Sequence, residues 1–153
     1  MRDRQLTSER IDFLKKDYER GFINFCGFKA VVAEWGKFHS ELTVAENHRQ
    51  QDGFVHAGVM ATMADHTAGY SAFTTVPEGF QILTIEFKIN FLRPAFGDSL
   101  ICQSRVIREG RKVIVAESEV IDVRDKGRVL VAKAMVTLMA VSQKELTAAG
   151  KSS

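Results

Sequence analysis

The chain has little of anything that marks a specialised architecture. Its two cysteines, Cys26 and Cys102, have no metal-type spacing, so no disulfide framework or paired-cysteine metal site is expected. Only two prolines, Pro77 and Pro94, interrupt 153 residues, and there is no repeat, low-complexity tract or Pro/Gly/Ser linker; one domain over 1–153 is expected. No apolar run approaches the ~18 residues of a membrane span, and the opening MRDRQLTSER lacks the apolar stretch of a signal peptide. A cytoplasmic protein without a membrane partner is the expectation. Charge of one sign is lacking too, because 21 Lys and Arg against 19 Asp and Glu leave a net charge of +2. With no basic stripe or aromatic interleaving, nucleic-acid binding is excluded.

The most telling shortage is local. Between His56 and Val76 the segment HAGVMATMADHTAGYSAFTTV carries one formal charge, Asp65. A carboxylate among Ala, Met, Val and Phe faces desolvation, so it is either hydrogen-bonded for structural reasons or used for chemistry.

The pattern around it is that of an α+β protein. Thr7 or Ser8 caps a short helix with Ile11, Leu14 and Tyr18 on one face, and Gly21 is placed to end it. Strand-like runs at 28–33 and 38–44 are joined through Trp35-Gly36-Lys37, and a polar loop covers 45–53. A long helix spans about 57–75, stopped by Pro77, with Val59, Met60, Met63, Tyr70 and Phe73 read as core; His66, about 100° round the helix from Asp65, is read as an ordinary helix residue. Residues 81–92 alternate, with Leu83, Ile85, Phe87, Ile89 and Phe91 on one face and Thr84, Glu86, Lys88 and Asn90 on the other. Three more strands, 99–107, 112–123 and 128–141, are separated by hairpin signals, the last apolar on both faces and so inside the sheet. An antiparallel sheet wrapping one long central helix follows.

His56 and Asp65 are nine residues apart, which on a helix means opposite faces and roughly 13 Å along the axis. Within one chain they cannot meet, so a shared site requires two copies around a two-fold axis. The segment Gln50 to Gly58 supplies a loop, an imidazole and small residues at the helix start. Free N–H groups at Ala57 and Gly58, aided by the helix dipole, are suited to hold a carbonyl oxygen gaining negative charge.

The order loop, His-Ala-Gly, helix with Asp nine residues on, then LTIEFKINFLRPA and REGRKV, resembles the hotdog-fold acyl-CoA thioesterases, the PaaI-like (phenylacetate-pathway type) group most closely. The resemblance covers about 27–141, with 1–26 as lead-in and 142–153 as tail. It implies a hotdog fold, hydrolysis of an acyl- or aryl-acyl-CoA thioester at a dimer interface, a homodimer or dimer of dimers, no metal, and no cofactor beyond the coenzyme A of the substrate. By position, Asp65 resembles the catalytic carboxylate, as nucleophile or general base. The Ala57 N–H would polarise the carbonyl, with His56 and Gln50 orienting it. Two departures stand out: where relatives carry Asn and Gly, this chain has Gln50 and Ala57, and Gln51 or His48 offers a substitute for Gln50. Thr84 falls where relatives carry a hydroxyl that positions water, although alternation puts it on the face away from the helix. For the coenzyme A phosphates the expected cations are Arg93, Arg111 and Lys112, beside the small Gly58. The alternatives are a non-catalytic acyl-CoA or acyl-carrier binding protein and a hydroxyacyl-thioester dehydratase.

Overall fold

The computed structural model describes residues 4–150; the outermost positions of the expected lead-in and tail lie outside them. Chain order begins with α1 (Ser8–Tyr18), α2 (Phe22–Cys26), β1 (Lys29–Glu34), β2 (Lys37–Thr43) and a 3-10 turn at Glu46–His48. Then come α3 (Ala57–Phe73), β3 (Phe80–Phe91), β4 (Ser99–Glu109), β5 (Val113–Arg124), β6 (Gly127–Ser142) and α4 (Gln143–Ala148). The six strands form one antiparallel sheet in the order β1-β2-β4-β5-β6-β3, which puts β6 inside the sheet, as its two-sided apolarity requires, and leaves β3 as an edge.

The sheet curls around α3. Met60, Met63, Ala64, Thr67, Ala68, Ser71 and Ala72 form the helix face buried against it, opposite Val136, Leu138, Ala116 and Val120. Most of that helix face is small, so the backbones approach closely, and short hydroxyls join the layers: Ser118 donates to Ala64 O at 2.7 Å, and Ser40 and Thr67 share a bond of 2.9 Å. Among the described residues no helix is long and apolar enough to cross a membrane.

Three expectations about elements change. The first helix is capped by the Thr7 hydroxyl as expected, but it stops at Tyr18, and residues 22–26 form the additional turn α2 between Gly21 (φ 58°) and Gly27 (φ 82°). The tail after Ser142 contains α4, whose capping box joins the Ser142 hydroxyl and N–H to Glu145. The Ser-x-x-Glu spacing was the signal for it.

The third change bears on the site. β3 does not alternate strictly, because its register against β6 shifts between Thr84 and Glu86: Thr84 pairs with Leu138 and Glu86 with Thr137, which leaves Ile85 as a bulge. One extra residue inverts the parity of the strand. Phe87, Ile89 and Phe91 therefore face the helix with Val136, Ala134 and Ala132, while Leu83 lies on the outer face beside Met139. Thr84, opposite buried Leu138, turns toward α3.

Candidate active site

The candidate residues separate into two groups within the chain. The first surrounds the start of α3. The loop before it is pinned by Gln50 N–H to Phe54 O, Val55 N–H to Ala95 O and His56 N–H to His48 O, each at 2.8 Å. His56 is the N-cap, with extended backbone, and its Nδ1 accepts from Gly58 N–H at 2.8 Å. A neutral His56 therefore carries its proton on Nε2. Of the two expected free donors only one is free: Gly58 N–H is taken by His56, whereas Ala57 N–H, exposed at the first helical position, has no acceptor among the described residues. A cavity of about 590 Å³ here is lined by Gln50, His56, Ala57, Met60, Phe91 and Arg93.

Gln50 turns its side-chain oxygen back onto Asp52 N–H, and its amide donors have no acceptor among the described residues. His48 is no substitute, because it is buried with Nδ1 accepting from Ala45 N–H at 2.8 Å and Nε2 donating to Cys26 O at 2.7 Å. Both ring nitrogens are spent on structure.

The second group surrounds Asp65, half-buried one face round the helix. It makes no ion pair among the described residues, and Thr84 Oγ1 donates to its Oδ1 at 2.7 Å. The bulge at Ile85 is what brings Thr84 there. Two openings meet at Asp65. One, about 610 Å³, runs toward the helix start past Thr62, Ala61 and Gly58 and is closed by Phe22, Ile23 and Phe87. The other, about 230 Å³, runs toward Gly69, Tyr70, Phe73 and Ile82.

His66 belongs to this group, contrary to its reading as an ordinary helix residue. It lines both openings and its Nε2 donates to Tyr18 O at 3.0 Å. Burial lowers its proton affinity, partly offset by that carbonyl and by Asp65 and Asp17. Tyr70 OH donates to Asp17 at 2.7 Å and is held strongly protonated by burial and by that carboxylate. Met63 is fully buried and lines none of these openings.

Neither of the two openings at Asp65 includes His56, and the cavity at His56 does not include Asp65. Arg93 lies with His56, its Nη1 on Leu130 O at 3.1 Å. Arg111 and Lys112 are joined to neither group: Lys112 sits by Ala140 and pairs with Glu145 at 2.9 Å, where β3 begins, whereas His56 and Arg93 sit where it ends. Burial raises both thiols, Cys102 to about 11, which disfavours the thiolate at each.

A six-stranded antiparallel sheet wrapped around one long helix is the hotdog fold. The thioesterase superfamily model matches residues 52–129, from the loop before α3 to the start of β6. The chain belongs to that superfamily and is a thioester hydrolase. A solved thioesterase family protein from Silicibacter pomeroyi superposes with a TM-score of 0.82 at 30% identity, over 86% of this chain and 98% of that one. A Halobacterium salinarum protein provisionally named an esterase is 33% identical over 70% of this chain and 74% of its own. The 1,4-dihydroxy-2-naphthoyl-CoA hydrolase of Listeria monocytogenes is 26% identical over 65% and 81%.

Proposed function

We propose that this protein hydrolyses acyl-CoA thioesters at two equivalent sites of a homodimer, each combining Ala57 of one chain with Asp65 of the other. The observation that carries this reading is that one unused N–H and one hydrogen-bonded carboxylate line different openings of the chain. The edge strand β3 supports it: Leu83, Ile85, Phe87 and Phe91 are exposed there beside unpaired backbone groups, a surface suited to edge-to-edge pairing with a second β3. A dimer of dimers would draw on the outer-face patch of Leu83, Val113, Met135 and Met139. The naphthoyl-CoA hydrolase among the relatives supports coenzyme A as the thiol portion. The unpaired cysteines accord with a cytoplasmic setting.

In this mechanism the thioester carbonyl oxygen accepts from Ala57 N–H at the positive end of α3, oriented by His56 Nε2–H and the Gln50 amide. Asp65, held by Thr84, either attacks the carbonyl carbon or removes a proton from a water that does. Collapse of the tetrahedral adduct breaks the C–S bond; coenzyme A leaves as thiolate and is protonated, and water supplies the new oxygen of the acid, either at once or by hydrolysing the Asp65 anhydride. Arg93, on the same side as His56, is the cation best placed for the coenzyme A phosphates.

The test is thiol release from phenylacetyl-, hydroxybenzoyl-, short-chain and long-chain acyl-CoA, comparing wild type with Asp65→Asn. Turnover lowered by about 10³-fold or more in the variant, with binding of the ester retained, is expected. No turnover by wild type on any ester would instead favour a binding protein.

A further inference from the structure

Two phenylalanines of α2 stand in water without a packing reason. Phe22 and Phe25 are 63% and 78% exposed, with their rings 6.5 Å apart and nearly parallel, while Ile23 between them is buried. A five-residue turn carrying two solvated aromatic rings is costly unless something apolar covers them.

The turn is held rigidly. Glu19 spans it, one carboxylate oxygen accepting Ala30 N–H at 3.0 Å and the other pairing with Lys29 at 3.2 Å. On the helix side, Arg20 pairs with Asp17, which accepts from Tyr70 OH, and His66 donates to Tyr18 O. Gly27 closes the turn by donating to Ile23 O and Asn24 O. These bonds fix Phe22 and Ile23 across the trough of small residues on α3 that begins at Asp65, with Phe87 as the facing wall.

We propose that α2 is the far wall of the acyl-binding groove and that Phe22, which lines it with Ile23, sets the length of apolar acyl chain this enzyme prefers. This rests on the thioesterase reading and adds the substrate class: apolar acyl groups long enough to reach from the thioester at Asp65 to Phe22. Among the described residues that line this opening the one Lys or Arg is Arg20, which is mostly exposed and paired with Asp17. Residues 20–23 lie outside the 52–129 segment matched by the superfamily model, so this wall is supplied by the chain's own N-terminal portion.

Thiol release on saturated esters from acetyl- to palmitoyl-CoA, with wild type, Phe22→Ala and Phe22→Trp, tests it. Each methylene that reaches an apolar wall is worth about fourfold in affinity. Phe22→Ala is expected to lower kcat/KM about tenfold at the wild-type optimum and less than about twofold for acetyl-CoA, and Phe22→Trp to move the optimum to shorter chains. An equal loss on every ester, acetyl included, would assign α2 to the pantetheine arm, and an unchanged length profile in both variants would remove it from the site; either overturns the proposal. The same series of S-alkyl-CoA thioethers, titrated calorimetrically, reads the wall without turnover. An inactive wild type whose thioether affinity still rises with length, and does so less in Phe22→Ala, would sink the thioesterase reading and leave the wall standing; a rise identical in the variant would sink the wall.

Discussion

Thr84 Oγ1 donates to Asp65 Oδ1 at 2.7 Å, a bond that ties the edge strand to the central helix. It exists because Ile85 is a bulge. With an unbroken strand, Thr84 and Glu86 would share a face; the extra residue sends Glu86 outward, where it accepts from the Thr137 hydroxyl, and Thr84 inward.

Removing that hydroxyl leaves the carboxylate in place but without its fixed partner. A hydrogen bond to a charged group is worth roughly 1.5–3 kcal/mol, with the lower end appropriate to an exposed site. Thr84→Val is therefore expected to lower kcat about tenfold with KM changed less than about twofold, and Thr84→Ser to restore most of it. Steady-state kinetics on the preferred ester decide the matter; an unaltered kcat in Thr84→Val would mean that the bond has no part in turnover.

Burial lowers the proton affinity of His66 in the fold, whereas the unfolded chain takes up a proton near the ordinary histidine value. The folded proton affinity is the lower of the two, so its contribution to stability is present above about pH 6.5 and is lost as pH falls below that, by no more than about 1.4 kcal/mol per pH unit. Half-buried His39, shifted the same way, adds to the slope. Melting temperatures of wild type should drop more between pH 7.5 and 5.5 than those of His66→Gln, which keeps a donor for Tyr18 O. Parallel curves would show that His66 is not the titrating group.

Much of the fold was legible because its signals are local and strong. The Ala- and Met-rich helix, the hairpin turns at 109–111 and 125–127, and two-sided apolar β6 all stand where the sequence puts them. Asp65 was legible as the only charge in its segment. The face of Thr84 was not, because a bulge adds a residue without a Gly or Pro to mark it, and periodicity counts straight through. The competition for Gly58 N–H was hidden as well: a histidine N-cap uses the donor that its own helix start offers. His66 depends on Tyr18, 48 positions away, and α2 on two glycines that read equally well as a helix stop.

The composite site is tested most directly by complementation between two inactive chains. Ala57→Pro removes the free N–H at the first helical position, where proline is well tolerated, and His56 before it already has the extended backbone that proline requires. Co-expression of Ala57→Pro with Asp65→Asn under separate affinity tags, followed by tandem purification, yields dimers in which one site carries both defects and the other neither. The account predicts that each homodimer is inactive and that the heterodimer hydrolyses ester at about half the wild-type rate per dimer. A heterodimer as inactive as its parents would contradict it, placing both groups of each site in the same chain.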